Sequence, residues 1–200
     1  VHAAALKRVP YGERHASEFY RTNSEGTLNV SHAAIERKVK HSLFISSDKA
    51  VAAATTYGRT KAVAESIWLG ANTLGVSRGS AFAVVRGGNV WNSRGSVMQA
   101  WKESGMVSVT DAAATRFHLP MAEWTEFCLR ALTEMRGGEV FVPKLRAWKL
   151  GDLADVAAGS AGTLPRLGLR SGEKKHESLI AQEEVARTVD AGWCYIVQPP

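Results

Sequence analysis

Cysteine is scarce: Cys128 and Cys194 are the two in 200 residues, and neither stands in a CxxC or CxxxH spacing. That excludes a disulfide-stapled secreted fold and a structural zinc site. It fits a reducing, cytoplasmic setting with no metal. No apolar run approaches the roughly 18 residues a membrane span requires, and the opening residues do not read as a signal peptide. Six prolines and eighteen glycines are too few for a fibrous or disordered chain. Long runs of one charge are absent too. Basic residues outnumber acidic ones by 25 to 19, a net charge of +6. They are dispersed, and the longest cluster, Glu36 to Lys40, is broken by its own glutamate. A surface that tracks a nucleic-acid backbone needs more than that. The six tryptophans do not interleave with basic residues as a base-stacking platform would.

What remains is an ordinary globular composition, 45% apolar and 22% charged. The length suits one domain, or two small lobes sharing a core. Val1 opens an apolar segment, His2-Ala3-Ala4-Ala5, with no cap or turn ahead of it. It reads as the end of a strand cut from a longer chain.

Elements alternate along the sequence. Ala16 to Lys38 reads as one long helix with a loose apolar face (Phe19, Tyr20, Leu28, Ala33, Ala34, Ile35), interrupted at Asn23 and Gly26. Ser42 to Ser46 is a short apolar run closed by small residues, the pattern of a buried parallel strand. Thr56 to Leu74 is a second helix, stopped by Gly75, and Ala81 to Val85 a second buried strand. Met121 to Met135 is a third helix, followed by a strand at Glu139 to Val142, a helix at Leu150 to Ala158 and a strand at Tyr195 to Val197. The alternation predicts an α/β fold with a parallel sheet. Near residue 90 the elements become shorter, so residues 1–90 are expected as one domain. Residues 91–200 are then mainly a second, smaller lobe intertwined with the first.

Chemistry begins at Ser46-Ser47-Asp48-Lys49, just past a strand end, where open α/β sheets bind ligands. Tyr57 and Lys61 follow at i and i+4, on one helix face. An ammonium one turn from a phenol favours the phenolate and lowers its pKa. Either pair alone is common surface decoration. Together, behind a strand end, they point to proton transfer.

The motifs HAAALKRVP (His2 to Pro10), SSDKA (Ser46 to Ala50) and YGRTK (Tyr57 to Lys61) resemble the second half of an extended short-chain dehydrogenase/reductase. RGGNVWNSRGSV (Arg86 to Val97), TRF (Thr115 to Phe117), GGEVFVPK (Gly137 to Lys144) and RSGEKKHE (Arg170 to Glu177) narrow the likeness. Together they resemble the UDP-N-acetylglucosamine 4,6-dehydratases and related capsule-polysaccharide biosynthesis proteins. The resemblance implies a Rossmann-like sheet, of which this chain holds the C-terminal half, and a smaller C-terminal substrate-binding lobe. It implies a tightly bound, recycled NADP or NAD and a UDP-sugar substrate.

By the same resemblance, Tyr57 takes the proton from the sugar 4-hydroxyl and Lys61 orients the nicotinamide ribose and tunes Tyr57. Lys49 removes the carbon-5 proton, and Asp48 protonates the departing 6-hydroxyl. Ala3, Ala4, Ala5, Ser46 and Ser47 lie along the cofactor, together with Tyr57 and Lys61. Lys7, Asn89, Met98, Thr110, Arg170 and Glu173 bind the nucleotide-sugar, with Arg170 as a fork on the diphosphate. Arg94 and Arg116 stand open between pocket cation and structural ion pair. Tyr57 favours the 5-inverting type, since large membrane-bound relatives often carry Met there.

The chain departs from the family pattern at Gly87, where Tyr is usual, at Ser171 for Pro, and at Lys175 for Leu. None of these removes a proton-transfer group. A larger departure is that no G-x-x-G-x-x-G phosphate cradle occurs in the sequence. Two other functions stay open: a UDP-sugar 4-epimerase, which needs the Tyr/Lys pair but no carbon-5 base, and a truncated, inactive nucleotide-sugar-binding relative. The complete protein is expected to be a homo-oligomer, paired through the two long helices. Ala62, Ala64, Ile67, Trp68 and Ala71 are read as outward positions of the second.

Overall fold

The computed structural model describes residues 1–159 and 165–200. The chain forms two compact units. One contains residues 1–87, 125–144 and 178–200, and the other residues 88–124 and 145–177. The change of character near residue 90 falls at the Gly87/Gly88 junction. Within 91–200, residues 125–144 and 178–200 belong to the first unit.

The first unit is an α/β sheet of five strands in the order β1-β2-β5-β8-β7. Strands β1 (His41–Ser47), β2 (Ala81–Gly87) and β5 (Val140–Pro143) are parallel. Strands β7 (Thr188–Asp190) and β8 (Cys194–Val197) close the far edge in antiparallel register. Beyond β1, His2 makes a parallel bridge to Phe44. Leu43, Phe44, Phe82, Val84 and Val85 are fully buried, as the apolar runs predict for strands covered on both faces.

The first helical stretch differs from expectation. Short helices α1 (Val9–Gly12) and α2 (Ala16–Phe19) lead into a π-helical segment, Tyr20–Glu25, and then α3 (Gly26–Glu36). The widened turn rotates the buried face. Asn23, Ser24, Thr27, Ser31 and Ile35 point inward, while Tyr20 and Leu28 are exposed.

Helix α4 (Thr56–Val76) starts at Thr55, whose hydroxyl oxygen accepts from the Gly58 N–H at 3.1 Å. Gly75 lies within the helix and does not end it. A Cβ there would stand 2.6 Å from the Ser80 carbonyl oxygen, so glycine permits close packing. Ala64, Trp68 and Ala71, expected to face outward, are buried; Ala62 and Ile67 are half-buried. Trp68 stacks on His2 and meets Phe82 edge-on, and its indole N–H donates to the Ser42 carbonyl at 3.2 Å. The outward apolar positions of α4 are instead Val63, Leu74 and Val76.

The second unit holds strands β3 (Asn89–Val90), β4 (Thr115–Leu119) and β6 (Ala147–Lys149), with helices α5 (Val97–Ser104) and α7 (Leu150–Ala158). Strand β4 pairs parallel with β3 and antiparallel with β6. Its core is Trp101, Val109, Ala114, Leu150, Leu153 and Ala154. Helix α6 (Met121–Glu134) carries the chain from this unit back to the first. Among the described residues, no helix is long and apolar enough to cross a membrane.

Candidate active site

Strand β1 delivers Ser46, Ser47, Asp48 and Lys49 at its C-terminal end. Ser47 leaves the strand in extended conformation, and its hydroxyl oxygen accepts from the Lys49 N–H, opening a 3-10 turn over Asp48–Ala50. The same hydroxyl donates to Asp48 Oδ1 at 2.8 Å, and Lys49 Nζ reaches that oxygen at 3.0 Å. Asp48 is 0% exposed. Its other oxygen, Oδ2, has no hydrogen-bond partner among the described residues, and neither has the buried Ser46 hydroxyl. Buried polar atoms are almost always satisfied, so two orphans at one strand end make this a candidate place for a polar ligand.

Tyr57 enters from the first turn of α4, buried, with its ring edge-on to Phe19. Burial raises its phenol pKa. The charge on Lys49 and a hydrogen bond with Ser47 oppose that rise, and Asp48 adds to it. Ser47, Asp48, Lys49 and Tyr57 are therefore in one electrostatic neighbourhood. Gly58 makes the fit possible, since a Cβ there would overlap the Lys49 carbonyl oxygen.

Lys49 is a cation acting on Tyr57. Lys61 donates to the Ile45 carbonyl at 2.6 Å and lies 3.8 Å over the Phe44 ring. Burial lowers its pKa to about 7, with Glu65 pulling it back up. Lys7 lies within reach of the same end: partial desolvation and the charge of Lys49 both lower its pKa. Ala3 and Ala4 are exposed and Ala5 half-buried, on the segment that follows the His2 bridge. Gly87, where the family pattern has a ring, pairs with Ser47 across β1 and β2.

The second unit gathers Thr110, Arg116 and Glu173. Glu173 Oε1 accepts from Thr110 Oγ1 at 2.9 Å and from Arg116 Nη2 at 2.7 Å. Arg116 is thus a structural ion-pair partner here, and it also donates to the carbonyls of Thr115 and Lys175. Arg170 is exposed, and its backbone N–H donates to Glu173 Oε2. Met98 is half-buried against the Trp101 core, and Asn89 is half-buried in β3, paired with His118. Among the described residues no group of three or more His, Cys, Asp or Glu side chains could hold a metal ion.

Sequence reasoning missed a buried cluster in the first unit, Glu65, Arg86 and Glu184, and the Asn23 amide. Glu65 was within reach, since it continues the Tyr57 and Lys61 spacing by one more turn. An arginine inside the apolar strand AFAVVRG was the second signal.

An α/β sheet with ionisable groups gathered at one strand end is the arrangement of open sheets of the Rossmann kind, which bind ligands there. The chain belongs to the polysaccharide biosynthesis protein family, which matches it over residues 1–199. It is 34% identical to a UDP-N-acetylglucosamine 4,6-dehydratase (inverting) of Campylobacter jejuni, covering 100% of this chain and 61% of that one. It is 35% identical to a UDP-glucose 4-epimerase of Rickettsia felis, covering 97% and 59%. The solved structure of Pen from Bacillus thuringiensis superposes with a TM-score of 0.92 at 33% identity, covering 99% of this chain and 64% of that one. The chain thus spans about three fifths of the length of the curated relatives it matches.

Proposed function

We propose that this chain carries the catalytic end of a nucleotide-sugar 4,6-dehydratase, acting on UDP-N-acetylglucosamine with inversion at carbon 5. The observation that carries the reading is the Asp48/Lys49 pair beside Tyr57. An epimerase has no use for an acid and a base beyond its tyrosine, whereas a dehydratase must remove a proton from carbon 5 and expel water from carbon 6.

The residues fit one end of a nicotinamide dinucleotide. The orphaned Ser46 hydroxyl, Tyr57 and Lys61 suit its ribose and ring, and the small side chains of Ala3, Ala4 and Ala5 let a ligand approach the backbone. The glycine-rich cradle for its diphosphate is not among these residues. When bound, the nicotinamide supplies the acceptor for hydride from carbon 4 and its return to carbon 6. Tyr57 takes the 4-hydroxyl proton. Lys49 takes the carbon-5 proton, made acidic by the 4-ketone, and Asp48 delivers a proton to the leaving 6-hydroxyl. A recycled NADP or NAD, a homo-oligomer and a cytoplasmic setting, which the two free cysteines favour, belong to the same proposal. So do the substrate contacts of Lys7, Asn89, Met98, Thr110, Arg170 and Glu173.

The test is the product formed from UDP-N-acetylglucosamine in deuterated water with either dinucleotide. A 4-keto-6-deoxy sugar carrying deuterium at carbon 5 supports the reading, and Lys49→Ala should abolish the label. A product epimeric at carbon 4, unlabelled at carbon 5, would establish the epimerase instead. Label entering at the normal rate in Lys49→Ala would remove Lys49 from the role of base.

A further inference from the structure

Tyr57, Lys61 and Glu65 stand at successive turns on the buried face of α4. Glu65 is held from β2. Arg86 Nε donates to its Oε1 at 3.1 Å and Nη2 to its Oε2 at 2.7 Å. The other side of the same guanidinium grips Glu184, on a 3-10 turn at Gln182–Arg187. Nη1 donates to Oε2 at 2.7 Å and Nη2 to Oε1 at 3.0 Å. Arg86 also donates to the Leu179 carbonyl, and Glu184 accepts from the Ala181 N–H.

One guanidinium is shared between two buried carboxylates, so neither has Arg86 to itself. Arg187 stands 3.9 Å from Glu184 on the half-exposed side of the cluster. Glu65 is the carboxylate of this cluster that lies on α4, buried one turn from Lys61, and the cation it attracts along its own helix is Lys61. A buried ammonium without a counter-charge sheds its proton.

We propose that Glu65, anchored by Arg86, is a positioning residue for Lys61: it supplies the counter-charge that favours the ammonium form of the Lys61 side chain against the Ile45 carbonyl and the Phe44 ring. The C-terminal segment at Glu184 thereby acts on the helix that bears Tyr57. The catalytic consequence rests on the reading above, that Lys61 belongs to the site; the electrostatic coupling does not. The other groups around Lys61 do not replace Glu65. His2 bonds Thr27 and its pKa is lowered by burial and by Lys61 itself. Asn23 and Thr27, from the helical stretch before β1, do not titrate. Asp48 and Lys49 bond each other beyond Tyr57.

The test follows the Lys61 side chain by NMR of carbon-13-labelled lysine, assigned with Lys61→Arg. In Glu65→Gln the Lys61 midpoint should fall by about one pH unit or more, and Glu65→Asp should restore part of that. If Glu65→Gln fails to fold, Glu184→Gln provides the second arm. It leaves all of Arg86 to Glu65 and should shift the midpoint in the same direction by less. An unmoved midpoint in a folded variant of either kind overturns the proposal. A pH–turnover profile run in parallel separates the two readings. If the midpoint moves and the profile moves with it, both stand. If the midpoint moves while the profile stays, the coupling stands and Lys61 leaves the catalytic machinery.

Discussion

Asn23 closes both backbone groups of Leu6. Its Oδ1 accepts from the Leu6 N–H at 2.7 Å and its Nδ2 donates to the Leu6 carbonyl at 2.9 Å. Nδ2 also donates to Thr60 Oγ1, whose own proton goes to the Tyr57 carbonyl. One amide, turned inward by the π-helical segment, thus ties the Ala3 to Lys7 segment to the first turns of α4. Asn23→Ala should cost about 2–3 kcal/mol, because two backbone groups lose their partner at once. Urea unfolding checks this. A loss below about 0.5 kcal/mol would show that the amide contributes nothing.

Gly58→Ala tests the close approach of α4 to the Lys49 carbonyl. The added Cβ cannot be accommodated, and the atom it meets is backbone. The loop carrying Asp48 and Lys49 must move. We expect a stability loss of about 1–3 kcal/mol and a fall in kcat larger than the change in KM. Unchanged kcat in the alanine variant would mean the loop position does not matter to the chemistry.

Burial of Lys61 predicts a pH-dependent cost. Its pKa is about 7 in the folded chain, against 10.5 for a lysine in water. Between those values the unfolded chain binds the proton that the folded chain has released, so this group makes stability rise with pH. Lys61→Met should therefore stabilise most near pH 6–7, on the order of 4 kcal/mol. The gain should shrink toward pH ~10. Thermal melts of both proteins across that range decide it, and a gain independent of pH would contradict the assignment.

In the second unit, Arg116 and Arg170 should separate cleanly. Arg116→Met leaves Glu173 half-buried beside Thr110 without its cation, and should destabilise the fold by about 3 kcal/mol. Arg170→Lys should leave the melting temperature unchanged and weaken UDP-sugar binding by about 1–3 kcal/mol. Calorimetry with UDP alone is the measurement. Equal destabilisation by both substitutions would make Arg170 a structural residue too.

The parallel strands were legible because Leu43, Phe44 and Phe82 to Val85 are uninterrupted apolar runs closed by small residues. Strands β3, β4 and β6 were not. Asn89–Val90 and Ala147–Lys149 are too short for a period to show, and Thr-Arg-Phe-His-Leu mixes charge into the pattern. The π-helical segment left only Asn23 and Gly26 as hints, and it turned Tyr20 and Leu28 outward against the apolar reading. Trp68 was assigned to the wrong face because alanines flank both sides of α4. In the site, Asp48, Lys49 and Tyr57 stood out because they are close in sequence. The Arg86 cluster did not: its partners Glu65 and Glu184 lie 21 and 98 residues away, distances no local pattern encodes.

The strand order has a consequence for the history of each molecule as it is made. Strand β8 lies between β5 and β7, and both of its neighbours are synthesised before it. On a ribosome, β1, β2 and α4 can gather early, but β5 then waits for almost the whole of the chain to emerge. Until Cys194–Val197 is free of the exit tunnel, one flank of β5 lacks its partner. A nascent chain halted before β8 would hold the packed β1, β2 and α4 but leave that flank of β5 open to a foreign strand.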